Sequence, residues 1–237
     1  MSYGQLWLGK CKALYPRLWR GRYFSLNDLD RKLEQFVDYD NGYFVELGAN
    51  DGMTQSNSLY FEIYRNWRGL LVEPAPANYL KCKKSRSSDN AIFCAACVSF
   101  AYAEKFVRMA WSNLMSVPLD LDSDIDCPSG HAALGAQFLG RNEEVFEFDA
   151  VARTLQSLLI EAGSPHEIDF LSLDVEGTEF EVLKGIDHEV FRFKFMLIEC
   201  RDFSRIQNYL GKHGYRFVDK LSEHDYLFAD KRNIQRG

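Results

Sequence analysis

From Gly42 onward, short apolar runs alternate with segments whose apolar residues recur every three or four positions. The runs have the length and bounding of strands, and the spaced segments have helical periodicity. Tyr43–Leu47 reads as the first strand, followed by a helix carrying Leu59, Tyr60, Ile63 and Trp67. Gly69–Glu73 is the second strand, Pro74–Ser85 its crossover, and Ala91–Val98 the third strand. Glu104–Met109 predicts an extra strand outside this alternation, and Thr154–Ala162 a helix that Gly163 ends. Ile168–Asp174 and Phe195–Glu199 follow as strands, Ser204–Leu210 as the last helix, and Tyr215–Val218 with Tyr226–Ala229 as a terminal antiparallel pair. Upstream, Ser25 is an expected N-cap with Asp28 three residues on, before a helix with Leu29, Leu33, Phe36 and Val37 on one face. Thr178 and Glu181 form a second expected capping box, opening a short helix that Gly185 closes. Strand and helix in alternation predict an α/β fold of the doubly wound, Rossmann-like kind around a parallel sheet.

At 237 residues the chain suits one large α/β domain over 41–237, preceded by a helical extension over 1–40. An irregular, lid-like insertion spans about 118–140 and holds most of the prolines and glycines of that region. Residues Met1–Asn27 contain no acid and five basic residues, interleaved with aromatics. Such a segment lies either over the domain or against an anionic membrane surface. Lys10, Lys12, Arg17 and Arg20 break up any signal-peptide core, so a cytoplasmic location is expected. The net charge of −6 disfavours a nucleic-acid partner, and no apolar run reaches transmembrane length. A second copy of the chain stands as a candidate partner.

The most informative stretch is Tyr43-Phe-Val-Glu-Leu-Gly-Ala-Asn-Asp-Gly52, an apolar strand that turns on two glycines into a helix. This is the layout of a nucleotide-binding βα turn. Between Glu46 and Tyr64 there is no lysine or arginine, while Glu46, Asp51 and Glu62 are present. An acidic lining repels a pyrophosphate and suits a cationic ligand, and S-adenosylmethionine is one. Gly48 and Gly52 would let the backbone approach that ligand, with Asn50 and Asp51 as polar groups on the turn and Glu46 near the methionine end. Glu73 follows at the spacing where a carboxylate takes ribose hydroxyls. Ala96 and Cys97 are expected along the adenine edge. A nicotinamide-dependent oxidoreductase is the alternative that shares the sheet but requires a basic residue near the pyrophosphate. A scaffold protein that keeps the pocket without the chemistry is another.

Leu171-Ser-Leu-Asp-Val-Glu-Gly177 brings Asp174 and Glu176 to the same edge. Two residues apart on one strand, they would share a face and serve as the base that takes the acceptor's proton. Alternatively, Asp174 with Glu199 could hold a divalent cation, Mg2+ being the expected ion. Among the histidines, His131 and His224 fall in expected loops within reach of this edge. Cys94 and Cys97 form a C-x-x-C inside an expected strand, which would put the thiols on opposite faces and argues against a metal. The alternating Asp120, Asp122, Asp124 and Asp126 begin like a calcium loop, but Ile125 and His131 stand where glycine and glutamate are required.

These segments resemble the FkbM-type methyltransferases, through Val45-Glu-Leu-Gly-Ala-Asn-Asp-Gly52, Val72-Glu-Pro74, Leu171-Ser-Leu-Asp-Val-Glu-Gly-Thr-Glu179 and Val182-Leu-Lys-Gly185. One departure is Ser172, where family members often carry lysine or arginine. The resemblance spans roughly 42–200. It implies a class I methyltransferase sheet of seven strands with the last one antiparallel, and S-adenosylmethionine held by the Glu46–Gly52 turn and Glu73. It also implies O-methylation of a small hydroxylated acceptor such as a sugar, glycan or secondary metabolite, with magnesium used by some related enzymes.

Overall fold

The computed structural model describes residues 22–232. Seven strands form the main sheet: β1 (Tyr43–Leu47), β2 (Arg68–Val72), β3 (Ala91–Phe93), β8 (Glu167–Leu173), β9 (Arg192–Glu199), β10 (Tyr215–Lys220) and β11 (Asp225–Asp230). Their spatial order is β10-β11-β9-β8-β1-β2-β3. β3, β2, β1, β8 and β9 run parallel, and β11 is antiparallel to both β9 and β10. The last strand of the chain therefore inserts between its two predecessors, as expected for the class I methyltransferase sheet.

Parallel strands covered on both faces need apolar residues at nearly every position. β1 meets this with Phe44, Val45 and Leu47 all buried. Val45 and Leu47 pack on one side with Leu155, Leu158 and Leu159 of α5 (Leu155–Glu161), Val182 and Leu183 of α6 (Glu179–Leu183), and Ile206 and Leu210 of α7 (Phe203–Lys212). Phe44 packs on the other side with Leu29 and Leu33 of α1 (Leu29–Leu33), Tyr60 and Phe61 of α2 (Leu59–Arg65), and Cys82 of α3 (Pro76–Ser85). Alternate residues of one strand thus feed two separate cores, as the strand period of two requires.

The register decides where the strand ends meet. Leu47 pairs with Val72 and with Leu173, and Leu173 pairs with Ile198. The next residues in each chain segment, Gly48, Glu73, Asp174 and Glu199, therefore stand in one row at the sheet's carboxyl edge. Asp225, opposite Glu199 on β11, extends the row.

A second sheet has four strands in the order β4-β7-β5-β6, from β4 (Ala96–Cys97), β5 (Phe106–Trp111), β6 (Val117–Pro118) and β7 (Phe146–Arg153). The expected extra strand is β5. The expected third strand does not run unbroken, because it splits at Cys94–Ala95 into β3 and β4 of different sheets. Cys94 lies in the break, its thiol donating to the Pro74 carbonyl, and Cys97 is buried on β4.

Both expected capping boxes are rearranged. The Ser25 hydroxyl accepts from the Asp30 N–H at 2.7 Å, and Asp30 Oδ2 accepts from the Phe24 N–H at 2.6 Å. Asp30 rather than Asp28 is the reciprocal partner, because Asn27 and Asp28 turn through φ of +56°. Thr178 makes no side-chain cap on α6, and Glu181 instead pairs with Lys184. The insertion contains a helix, α4 (Pro128–Leu134), with proline in its first turn. Most of the basic aromatic N-terminal segment lies outside the described residues. Among the described residues no helix is long and apolar enough to cross a membrane.

Candidate active site

The row of strand ends floors a cavity of about 380 Å³. Gly48, Asn50, Glu46, Glu73, Ala96, Cys97, Asp174, Glu176 and Glu199 all line it, whereas Asp51 and Gly52 do not. Asp51 turns away because its carboxylate closes the loop on itself. Oδ1 accepts from the N–H groups of Met53 and Thr54, and Oδ2 from the Thr54 hydroxyl. Gly52, at φ +79°, packs against α3, where a Cβ would come within 2.8–2.9 Å of Arg86, Ser85 and Cys82. Its glycine character serves that contact rather than a ligand. Gly48 is also set by the protein itself, since a Cβ there would stand 1.9 Å from the Asp174 carbonyl oxygen. That contact lets the ends of β1 and β8 meet.

Glu46 is buried, and its oxygens are committed internally. They accept from the Ser56 hydroxyl, the Asn57 N–H at 2.9 Å, the Ser58 hydroxyl at 2.6 Å and Arg86 at 3.2 Å. The Arg86 side chain is fully enclosed and also pairs with Glu62 at 2.7 Å. Enclosing a carboxylate without such a partner would be costly. The acidity of the turn counted along residues 46–64 is thus reduced by a guanidinium from the end of α3. The local count could not include it.

Glu73 has a different environment. Oε2 accepts from the Asn50 N–H at 2.8 Å and Oε1 from the Ala75 N–H at 2.9 Å. Asn50 reaches this position in the left-handed region, at φ +48°. A carboxylate offers about four acceptor sites, so two remain beyond these bonds. Burial pushes the Glu73 carboxyl up to about 7, against the pull of its two amide donors. A fixed pair of acceptors at the wall of the cavity that Ala96 and Cys97 also line could hold a ribose diol.

Across the cavity stands the acid cluster. β8 ends at Leu173, so Asp174 and Glu176 do not share a strand face. They lie on a tight turn, with Glu176 at φ +55° and Gly177 at φ +92°, and both still reach the cavity. Burial, then the neighbouring carboxylates of Glu199 and Glu176, raise the Asp174 carboxyl well above its ordinary range, and Asp174 hydrogen-bonds to Glu199. Burial and Glu199 push Glu176 up to about 8. Glu179, not singled out in the sequence, holds the turn: its Oε1 accepts from the N–H groups of Val175 and Gly177. Its position five residues after Asp174 in the motif was the available signal.

Among the described residues no group of three or more histidines, cysteines or acids is arranged to hold a metal ion. That gives the expected Mg2+ on Asp174 and Glu199 no support from the described residues.

Of the two histidines expected in loops, His224 lines the cavity. His131 sits on α4 and contacts Glu176, Nε2 to Oε2 at 2.8 Å. Sequence reasoning missed several wall residues. Ser56 and Asn57 come from the loop after the glycine turn, Asn113–Met115 and Phe138 from the insertion and its approach, and Ser222–Asp225 from the turn before β11. Ser172, the departure from the family pattern, accepts from the Asn57 amide at 3.0 Å.

The solved structures that the chain resembles are distant in sequence. The human methyltransferase 10 domain containing protein is 12% identical, with a TM-score of 0.46 over 97% of this chain and 96% of that one. A putative RNA methyltransferase from Pyrococcus horikoshii is 11% identical, with a TM-score of 0.41 over 93% and 96%. The precorrin-6y C5,15-methyltransferase from Geobacter metallireducens is 11% identical, with a TM-score of 0.39 over 85% and 86%. Comparison with curated proteins yields no significant match. The methyltransferase FkbM domain, however, matches residues 46–217, from the last strand residues before the glycine turn into β10. The chain belongs to the FkbM methyltransferase family.

Proposed function

We propose that the protein is an S-adenosylmethionine-dependent O-methyltransferase whose acceptor is a hydroxyl of an uncharged small molecule, a sugar or glycan in the first instance. The observation that carries this reading is the pairing, within one cavity, of Glu73 with spare acceptor sites and an acid turn whose carboxyl groups are raised toward neutrality. S-adenosylmethionine supplies an activated methyl group when bound. Methyl transfer from it leaves the protein two tasks, alignment and removal of the acceptor proton. Glu73 and the Asn50 turn serve alignment of the adenosine. Glu176 serves as base, because a carboxyl near 8 accepts a proton far more readily than an ordinary glutamate while still ionising at mildly alkaline pH. Asp174, hydrogen-bonded to Glu199, orients the acceptor hydroxyl beside it.

The charge of the wall favours an uncharged acceptor. Seven carboxylate residues and, among the described residues, no lysine or arginine line the cavity. A phosphate brought there would find no lysine or arginine on the described lining to bind it. The test is transfer of labelled methyl from S-adenosylmethionine to matched acceptors: free sugars and glycosides, the same sugars as phosphates or nucleotide esters, and RNA. Alkali-stable label on the free sugar or glycoside, absent from its phosphorylated form and from RNA, is the expected result. Label confined to RNA or to phosphorylated acceptors would refute the assignment, as would saturable donor binding with no transfer to any hydroxyl.

A further inference from the structure

Glu176 is held by an element from outside the main sheet. Asp124 of the insertion donates its N–H to the Gly177 carbonyl at 2.9 Å, and Asp124 Oδ2 accepts from the Arg201 N–H at 2.7 Å. A Cβ on Gly177 would stand 2.6 Å from the Ser123 hydroxyl and 2.8 Å from Ile125. The insertion is thus seated directly on the acid turn, and α4 then carries His131 onto Glu176. His131 makes no other hydrogen bond from its ring among those described, and its side chain is 12% exposed.

We infer that His131 is a positioning residue for Glu176: its imidazole fixes the carboxylate toward the cavity and, by donating Nε2–H, favours the ionised form that accepts the acceptor's proton. The inference rests on the reading of Glu176 as the base. The charged and titratable groups facing Glu176 are His131 from α4, Arg201 at 3.9 Å from the segment after β9, Glu199 of β9, Asp124 of the insertion, and Asp174 on its own turn. Arg201 is the longer contact, so among the described residues His131 is the hydrogen-bonded partner of this carboxylate. Burial and Arg201 lower the imidazole's own affinity for protons, which keeps it neutral at physiological pH. A neutral imidazole protonated at Nε2 can donate to a carboxylate without adding a charge to the site.

His131→Phe keeps the volume and removes the donor, while His131→Gln keeps a donor. Loss of a hydrogen bond to a charged group is expected to shift the ionisation of Glu176 by roughly one to two pH units. His131→Phe is expected to lower kcat at pH 7 by ~10-fold or more, to move the acid limb of the kcat profile up by about one unit, and to leave KM for the methyl donor unchanged. His131→Gln is expected to recover most of the rate. A pH-independent loss in both variants would assign His131 a merely structural role and overturn the inference. A second readout does not need turnover: the 15N shifts of the His131 ring, assigned through His131→Gln. A titration step near that of Glu176 that vanishes in Glu176→Gln supports the pairing, and identical titration in both proteins contradicts it. If the pairing is seen in this titration but no acceptor is methylated, the proposed function fails while the contact stands.

Discussion

Glu73 and Glu46 are two strand-end carboxylates that look alike in sequence and do different work. Period-two patterning and strand length were enough to place both at the carboxyl edge of the sheet, because those rules are local. Which acid is free for a ligand depends on a residue far along the chain: Arg86 pairs with Glu46, and among the described residues nothing comparable meets Glu73. Long-range partners of this kind leave no local trace. Glu73→Gln tests the distinction, since a glutamine amide presents one oxygen and must turn its NH2 group toward the N–H of Asn50 or Ala75. An unsatisfied pair of this kind costs about 1–3 kcal/mol, so calorimetry should show S-adenosylhomocysteine binding ~10–100-fold more weakly in a protein that still folds. Gly48→Ala is expected to act on the fold instead. The added methyl would meet the Asp174 carbonyl at 1.9 Å in a backbone conformation at φ +79°, with a cost on the order of 3 kcal/mol in denaturant unfolding.

The insertion was legible as an interruption of the βα alternation, but its role was not. Two of its alternating aspartates turn out to be fasteners. Asp122 pairs with Arg205 of α7, and Asp124 accepts from the N–H groups of Arg201 and Asp202. Aspartate spacing alone could not separate a ligand loop from this use, because the donors belong to residues some eighty positions later. β7 went unread, although Phe146, Phe148 and Ala150 alternating with Glu147 and Asp149 carry a strand signal. Its partner β5 lies some forty residues earlier, outside the alternation that organised the reading. The break after β3 was hidden because Cys94 and Ala95 continue the apolar run while changing sheets. Removing the fastener should loosen the element more than the domain. Asp124→Ala is expected to increase amide hydrogen exchange across 122–138 and to lower kcat through the displaced Glu176 turn. Global stability should fall by only about 1–2 kcal/mol.

Across the whole molecule, the acids around the cavity make stability depend on pH. Burial holds Glu73 up to about 7 and Glu176 and Glu179 up to about 8, from an ordinary value of 4.5. Between 4.5 and 8 the native state therefore binds more protons than the unfolded chain, and stability falls as pH rises. His188 opposes this below 6.5, because burial lowers its imidazole to about 4, so that stability gained from it is lost as pH falls through that window. Above 6.5 the raised acids dominate among the described residues, and the ligand-free protein should lose stability from pH 6.5 to 8, read as a falling urea midpoint. Glu179→Gln should flatten that decline. Its single amide oxygen can still accept from Val175 and Gly177, while the titrating proton is gone. An equal decline in wild type and variant would contradict the assignment of Glu179.

The central claim is that this cavity receives a methyl donor rather than a dinucleotide, and titration calorimetry of the wild-type protein with S-adenosylhomocysteine and, separately, with NAD tests it most directly. The account predicts saturable one-to-one binding of S-adenosylhomocysteine and no heat from NAD. Tight binding of NAD with none of S-adenosylhomocysteine, by a folded protein, would contradict it.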